Sequence, residues 1–230
     1  MKEINFSALF QSYFKLNHRK GLSIKINPPL VLGTLNLLEK TIICSILKTK
    51  KISRIFEFGT FLGSTTSMMA LNSKNNSKIV SFDLETKKKF TKFSIKKFNQ
   101  LKKNYNVKKQ NSNDNFLKKA YQKFGPVYLF YLKKKYKKKI QLLKGNSLNY
   151  NFNSYENKFD LIFIDGGHNF KTVKADTINS LKMVKKGGMI MWHDASSKIH
   201  LDVYKYLQTL NLKLYKYKHT SLCYTLINRK

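Results

Sequence analysis

Four acidic residues lie at or near the carboxyl ends of short apolar segments, where they could carry chemistry. They are Glu57, Asp83, Asp165 and Asp194. Short apolar segments separated by helical stretches are typical of buried parallel strands, and open α/β sheets bind ligands outside the carboxyl ends of their strands. Because the chain has only 12 acidic residues against 45 lysines and arginines, we expect these four carboxylates to build an acidic, ligand-binding crevice.

The most reactive group follows the last two apolar segments. Asp165 and His168 come after one of them, and His193 and Asp194 end the next. If the two segments are adjacent parallel strands, both ends meet at one edge of the sheet. Two carboxylates and two imidazoles could then bind a divalent metal or hold a general base. The alternative is that the acids cap helices and the histidines only pack or form hydrogen bonds.

A loop that contains glycine follows the first strand and opens a helix. Gly59 and Gly63 would let the backbone turn sharply and approach a ligand closely. A dinucleotide-binding loop reads G-x-G-x-x-G, whereas here Glu57 stands at the first glycine and three residues separate the other two. An acid at this place suits a cationic ligand such as S-adenosylmethionine better than a pyrophosphate. An ordinary strand–helix turn is the alternative.

One further acidic position predicts an adenosine site. Asp83 stands where nucleotide-binding α/β folds place an acid for the ribose hydroxyls, which supports an adenosine group without choosing the cofactor. Asn146 and Ser147 follow another predicted strand. A plain polar turn is the alternative for these two residues.

The order of elements predicts a single doubly wound α/β domain at residues 30–230, after an N-terminal extension at residues 1–29. Strands are predicted at 52–58, 78–84, 140–143, 159–165 and 189–193, with a C-terminal antiparallel hairpin at 212–217 and 222–227. Helices are predicted at 30–47, 63–72, 90–101, 116–124, 170–184 and 199–210, and Gly187-Gly188 is expected to end the helix before the last parallel strand. Residues 102–139 are expected to form a basic insertion.

The net charge of +33 is supplied almost wholly by lysine, since the chain has three arginines, Arg19, Arg54 and Arg229. Arginine is the residue that phosphate and base recognition usually favours. Abundant Asn, Ile, Phe, Tyr and Lys share A/T-rich codons, so a GC-poor genome explains most of the charge. The alternative is polyanion or anionic-membrane binding through segments 87–89 and 133–139, with Tyr131 and Tyr136 stacking on bases.

The remaining features predict a cytosolic protein. Cys44 and Cys223 lie in apolar surroundings and form no disulfide framework. The apolar segments are too short to span a bilayer, and the first residues do not resemble a signal peptide. His200 and His219 have no acidic neighbours in the predicted arrangement and are expected to be structural.

Taken in order, these motifs resemble class I S-adenosylmethionine-dependent methyltransferases, and they are most similar to the bacterial small-molecule O-methyltransferase-like group. The resemblance covers residues 30–228 and rests on the Glu57 loop, Asp83, residues 145–147, and segments 159–168 and 186–194. It implies a mostly parallel seven-stranded sheet. It also implies the contacts of the cofactor. Glu57, Gly59, Thr60 and Gly63 would contact the methionine part, and Asp83 would contact the ribose. Asn146 and Ser147 would contact the adenine, and Asp165 the sulfonium.

The resemblance also implies roles in catalysis. In metal-dependent relatives such as catechol O-methyltransferase, acids that match Asp165 and Asp194 bind Mg²⁺, and an asparagine follows the second acid. Here Ala195 follows, so one expected ligand is missing. The catalytic base of that relative falls at His168, where an imidazole could act near neutral pH.

The sequence thus predicts an S-adenosylmethionine-dependent O-methyltransferase of a small molecule or sugar hydroxyl, with His168 and Asp165 as catalytic residues and Mg²⁺ at Asp165 and Asp194 as a second cofactor to test. Two alternatives stay open. One is a nucleic-acid-directed methyltransferase or binder, for which the lysine-rich surface would supply non-specific polyanion binding. The other is a catalytically silent fold that serves as an interaction module.

Overall fold

The strands form one sheet. The computed structural model describes residues 1–20, 23–27, 33–85, 93–102, 112–196 and 200–228. Within these ranges the strands are β1 (Lys2–Ile4), β2 (Arg54–Phe58), β3 (Lys78–Asp83), β4 (Ile140–Lys144), β5 (Phe159–Ile164), β6 (Val184–Trp192), β7 (Tyr215–Tyr217) and β8 (Cys223–Leu226). Their order across the sheet is β1-β7-β8-β6-β5-β2-β3-β4. β8 runs antiparallel to β6 and β7, and the other neighbours are parallel.

Helices cover both faces of the sheet. They are α1 (Ser7–Lys20), α2 (Leu37–Thr49), α3 (Ser64–Asn72), α4 (Ile95–Lys102), α5 (Ser112–Phe124), α6 (Val127–Phe130), α7 (Lys134–Lys137), α8 (Phe170–Met183) and α9 (Leu201–Gln208). Successive strand residues point into different cores. Ile55 packs with Ile42 of α2, whereas Phe56 packs in the core that holds Val173 of α8 and Val203 of α9. Two buried faces explain why the strands read as continuous apolar segments.

The predicted fold class is confirmed, with one strand more than the predicted seven. β1 pairs with β7 at the edge of the sheet, in the register Lys2 with Tyr215. Lys2, Glu3 and Ile4 show no apolar alternation, since a short edge strand needs none and charged residues there discourage pairing with other chains. β1 comes from the predicted N-terminal extension. The division of the chain at residue 29 stays a prediction.

The expectation that Gly187-Gly188 ends a helix is wrong. α8 ends at Met183, and Val184 already has an extended backbone and is the first residue of β6. The two glycines lie within β6, where the pairing with β5 shifts register between Val184 and Met189. Gly187 has a φ of +77°. The glycines therefore permit a bulge that lets both Val184 and Met189 stay in the sheet.

α2 begins later than the predicted residue 30. Its first residue is Leu37, and Asn36 caps it: the Asn36 side chain accepts the Glu39 N–H at 2.9 Å, while Glu39 accepts the Asn36 N–H at 3.1 Å. This reciprocal pair is a capping box. It fixes Glu39 in the first turn of α2. Residues 30–32 of the predicted helix lie outside the described residues.

The predicted insertion contains three helices, α5 to α7, although residues 103–111 lie outside the described part. The predicted helix 116–124 is the larger part of α5. Phe116, Ala120 and Phe124 of α5 pack with Phe98 of α4 and with Leu62, which follows β2. The insertion is thereby attached to the loop after β2 through a small core of its own. No helix among the described residues is long and apolar enough to cross a bilayer.

Candidate active site

A cleft of about 510 Å³ opens at the carboxyl ends of the parallel strands. Its volume lies within the range of pockets that enclose a small ligand or cofactor. Seven of the residues predicted for the site line it, namely Gly59, Asp83, Asn146, Ser147, Asp165, His168 and Asp194. The sequence-predicted edge of the sheet is therefore where the structure brings these residues together.

Gly59 forms the closest backbone approach in the cleft. It has a φ of +93°, and its N–H donates to the carbonyl of Phe82 at 2.9 Å. A Cβ atom at this position would lie 1.9 Å from the carbonyl oxygen of Asp165. Only glycine allows both the left-handed backbone and this contact. The loops after β2 and β5 consequently lie against each other.

Asp83 ends β3 and is fixed by backbone donors. Its carboxylate accepts the N–H of Phe61 and the N–H of Leu84, each at 2.7 Å. Burial raises the pKa of Asp83 to about 6. A carboxylate can accept about four hydrogen bonds, so Asp83 keeps capacity for the hydroxyl groups of a ligand.

Glu57 lies behind the cleft and not in its wall, which differs from the predicted contact with a cationic ligand. The residue is fully buried in β2, and one carboxylate oxygen accepts from Thr66 and, at 2.5 Å, from Ser81. The other oxygen has no partner among the described residues. Burial raises the pKa of Glu57 to about 8, so the group is mostly neutral at pH 7. Its hydrogen bonds join β2 to β3 and α3, and it places little negative charge at the cleft.

Thr60 and Gly63 also support the loop from outside the cleft. The Thr60 hydroxyl lies 2.6 Å from the Ser81 hydroxyl, in the same buried group as Glu57. Gly63 precedes the first residue of α3, has a φ of +79° and packs against Leu129. Neither residue lines the cleft. Their predicted contacts with the cofactor stay predictions.

Ser147 leads to an acid that the sequence motifs do not reveal. Asp176 of α8 lines the cleft, is 1% exposed and forms a side-chain hydrogen bond with Ser147. Burial raises the pKa of Asp176 to about 7, and its Oδ1 has no partner in the described residues. Asn146 turns its side chain back to accept the N–H of Leu148 at 3.1 Å. The sequence signal that could have revealed Asp176 is its position three residues after Val173, on the apolar face of the predicted helix.

His168 is held between two carboxylates. Its Nε2 lies 2.8 Å from Asp194, its Nδ1 contacts Asp114, and its backbone N–H donates to Asp114 at 3.2 Å. Burial opposes the imidazolium, but the charges and hydrogen bonds of Asp194 and Asp114 outweigh it and raise the pKa of His168 to about 10. His168 is therefore charged at neutral pH, and both ring nitrogens donate. The expected free base near neutral pH is not present in this arrangement.

His193 joins the carboxylates of three elements. Its Nδ1 lies 3.0 Å from both Asp165 and Asp194, and its Nε2 lies 3.2 Å from Glu39. Burial opposes the charged ring, but Asp194 and Asp165 raise its pKa well above the usual value. Burial also opposes ionisation of Glu39, whose pKa His193 and Ser221 lower to about 2. Glu39 accepts the Ser221 N–H at 2.8 Å and its hydroxyl at 2.7 Å, so it anchors the cluster to α2 and to the turn before β8.

His200 belongs to the site, although it is expected to be structural. Its ring stacks on His168 with centroids 3.9 Å apart, and its Nε2 lies 3.5 Å from Asp194. Burial lowers the pKa of His200, so this ring is neutral beside the charged one. His219 lies in the exposed turn between β7 and β8, away from the cleft.

One wall of the cleft comes from α5, and no motif predicts that this helix contributes to the site. Asp114, Leu117, Lys118 and Tyr121 line the cleft from one face of this helix, and their spacing is that of a single helical face. Burial opposes ionisation of Asp114, but His168 lowers its pKa. Asp114 is the only acid between Glu85 and Glu156, which is the sequence signal that could have found it.

The predicted Mg²⁺ site does not fit the donors present. Asp165, His193 and Asp194 bring one ligand atom each within 4.8 Å of one another. Mg²⁺ prefers an octahedron of oxygen ligands, whereas one of these three donors is a nitrogen, and Ala195 adds no oxygen. The two carboxylates are also engaged by imidazolium N–H groups. The carboxylates and imidazoles of the cluster therefore bind one another.

The order of the parallel strands, the antiparallel end of the sheet and this cleft define a class I methyltransferase fold. The sequence model of the family described as "Methyltransferase domain" matches residues 56–195, which is more than half of the chain. The chain belongs to the methyltransferase-domain family and is an S-adenosylmethionine-dependent methyltransferase. No sequence among curated proteins matches it.

Solved structures share the fold at low identity. A methyltransferase of Podospora anserina with SAH bound is similar with a TM-score of 0.56 and 11% identity, over 97% of this chain and 88% of that one. A Klebsiella pneumoniae protein assigned as an O-methyltransferase has a TM-score of 0.53 and 13% identity, over 96% and 90%. A Staphylococcus aureus protein assigned as a caffeoyl-CoA O-methyltransferase has a TM-score of 0.53 and 12% identity, over 95% and 91%. These identities show the fold and not the acceptor.

Proposed function

We propose that this methyltransferase transfers a methyl group to a hydroxyl oxygen of a small molecule or sugar. The observation that carries the proposal is the cleft, which has a fixed carboxylate, Asp83, at one side and the imidazole–carboxylate cluster around His168 at the other. α5 walls the space between them. Similarity to proteins assigned as O-methyltransferases supports the choice of oxygen as the acceptor atom.

The polar groups that line the cleft fit S-adenosylmethionine. Asp83 has acceptor capacity for the ribose hydroxyls, and the bare backbone at Gly59 leaves room for the methionine part. Asp176, with an unpaired Oδ1 beside Ser147, can accept from a polar group at the adenine end. Asp165 provides negative charge for the sulfonium, which when bound supplies the methyl group in an in-line displacement. We therefore retain Asp83, Asn146, Ser147 and Asp165 as proposed cofactor contacts.

The imidazole–carboxylate cluster would hold the acceptor and take its proton. When the methyl group moves from sulfur to oxygen, the bonding pair returns to sulfur and the hydroxyl proton must leave the acceptor oxygen. His168 can receive this proton only as a neutral imidazole, so the ring first releases one of its two protons to solvent, and the bound acceptor then replaces Asp114 or Asp194 at the free nitrogen. Positioning supplies most of the acceleration. A placed base contributes roughly 10²–10⁴-fold.

Methyl transfer to a panel of hydroxyl acceptors tests the proposal. His168→Ala should lower turnover by roughly 10²–10⁴-fold while calorimetry shows nearly unchanged cofactor affinity, because the ring lies on the acceptor side. The matched control is His219→Ala, in an exposed turn, which should change neither quantity. Undiminished turnover of His168→Ala would remove this residue from the mechanism. Failure of the wild type to bind S-adenosylmethionine would instead favour a silent interaction module.

A chelator tests the expected independence from Mg²⁺. Because the cluster is closed by imidazolium–carboxylate contacts and lacks a third oxygen ligand, we expect the same turnover with and without chelator. Inhibition that added Mg²⁺ reverses would show that the cluster rearranges around a cation.

We also propose a reducing compartment for the protein, supported by Cys44 and Cys223, which are both buried as free thiols.

A further inference from the structure

A lysine-rich surface lies at the amino ends of β3 and β4, on the opposite edge of the sheet from the cleft. Two grooves flank α7, of about 640 Å³ and about 350 Å³, and Lys135 lines both of them. We name this region, with the exposed end of α6, the basic–aromatic surface. It consists of Lys25, Lys78, Lys133, Lys134, Lys135, Lys138, Phe130 and Tyr131.

The lysines of this surface are not neutralised by the chain. Neither groove has an acidic residue in its lining, and the sequence has no acid between Asp114 and Glu156. The ion pairs of Lys185 and Lys216 lie elsewhere. The surface therefore carries a concentrated positive charge that only an external anion can compensate.

Two large aromatic side chains project beside these lysines. Phe130, the last residue of α6, is 53% exposed, and Tyr131, which follows it, is 79% exposed. A Phe–Tyr tip with flanking lysines can place rings at the level of lipid headgroups while the ammonium groups contact phosphates. Clusters of four or more lysines near a membrane favour anionic lipids.

Tyr136 takes a different part from the predicted base stacking. The ammonium groups of Lys25, Lys135 and Lys139 lie 5.7, 5.1 and 5.4 Å from the centre of its ring. The ring thus holds lysines in place through cation–π contacts. Lys139 is itself buried and donates to two carbonyls at the end of α3. Because these ammonium groups crowd Tyr136, Tyr131 is left as the main ring for stacking, which disfavours a single-stranded nucleic acid as the partner.

We propose that the basic–aromatic surface docks on an anionic lipid bilayer. Phe130 and Tyr131 enter the interface, and the lysines of α7 contact headgroup phosphates. Lysine suits this role, since it acts as a point charge and needs no fixed partner geometry. Lys78 begins β3, whereas the cleft opens at the carboxyl ends of the strands. A docked molecule therefore keeps its cleft away from the bilayer.

Sedimentation of the full chain with vesicles tests the proposal. The probes are vesicles of phosphatidylcholine alone and of phosphatidylcholine mixed with phosphatidylserine, and we expect binding to the mixed vesicles only. Substitution of Lys133, Lys134 and Lys138 by Ala should lower the partition coefficient by roughly 100-fold, at about fivefold per lysine. The charge-matched control replaces the exposed Lys171, Lys174 and Lys182 of α8 by Ala and should lower it by less than about fivefold.

The aromatic tip separates docking from simple charge attraction. Phe130→Ser with Tyr131→Ser should lower binding at physiological salt by about tenfold or more, because apolar burial is not screened by salt. Thermal unfolding and cofactor calorimetry verify that each variant is folded. An equal loss in the α8 control, or no loss in the aromatic variant, would overturn the proposal. So would tighter binding to a single-stranded RNA at physiological salt that depends on Tyr131.

Discussion

The two edges of the sheet use acidic residues in opposite ways. Seven of the 12 acids lie at or just beneath the carboxyl edge, namely Glu39, Glu57, Asp83, Asp114, Asp165, Asp176 and Asp194. At the amino edge both carboxylate oxygens of Asp160 accept hydrogen bonds. One accepts from Ser53 and Arg54 of the neighbouring segment, and the other accepts from the Lys185 ammonium. Asp160 therefore uses its hydrogen-bonding capacity within the fold, whereas Asp83 and Asp176 at the carboxyl edge keep such capacity for a ligand.

The pKa directions express the same difference. Burial opposes ionisation of both Asp160 and Asp83. At Asp160 the Lys185 ammonium and the backbone N–H groups outweigh burial and lower the pKa. At Asp83 burial wins and raises the pKa to about 6. Asp83 is therefore a carboxylate that the protein alone does not fully stabilise, which is typical of a binding site.

The largest effect that we expect is at Gly59. Gly59→Ala should destabilise the fold by more than about 3 kcal/mol or abolish cofactor binding, because the new Cβ would collide with the Asp165 carbonyl. The matched control is Gly187→Ala. Gly187 also has positive φ but has nothing within 4 Å of an added Cβ, so only backbone strain of about 1 kcal/mol is expected. Urea unfolding of both variants measures the difference, and equal losses would show that the contact between the two loops is not rigid.

The next effect compares the two edges directly. Asp83→Ala should weaken S-adenosylmethionine binding by about 1–3 kcal/mol, through lost hydrogen bonds to the ligand and a looser Phe61 backbone. Asp160→Ala should leave this affinity unchanged but lower the free energy of unfolding by about 2 kcal/mol, since it leaves two backbone N–H groups without their acceptor. Calorimetry and urea unfolding of both variants give the four values. A similar loss of affinity in both would contradict the separation of roles.

The sequence predicts those parts of the site that follow buried strands. Asp83, Asp165 and Asp194 are found because a strand is recognisable from its apolar residues and because parallel strands deliver their ends to one edge. The Gly59 loop is found because a positive φ requires glycine. The same reasoning predicts the sheet and its antiparallel end, and the structure confirms both.

The sequence does not predict the residues that helices bring to the cleft. Glu39, Asp114 and Asp176 lie in helices, and their contacts depend on how each helix packs against the sheet, which a pattern of apolar residues leaves undetermined. Glu57 shows the opposite case. Its motif predicts a ligand contact, but strand alternation turns its side chain toward α3, away from the core that receives Phe56 and Phe58.

The smallest effect concerns Glu57 and its pH dependence. The folded state holds the proton of Glu57 up to about pH 8, whereas the unfolded chain releases it near the ordinary value of 4.5. Between these values the unfolded state binds fewer protons, so stability falls as pH rises.

Glu57→Gln keeps the shape and stays neutral, and its amide can still pair with the hydroxyls of Thr66 and Ser81. We expect the wild type to lose at least about 1 kcal/mol more than Glu57→Gln between these two pH values. Urea unfolding at several pH values measures the two slopes, with Glu156→Gln, an exposed acid, as the control that should leave the slope unchanged. Parallel slopes for wild type and Glu57→Gln would mean that Glu57 is ionised in the folded protein, and the carboxyl edge would then carry one more negative charge toward a cationic ligand.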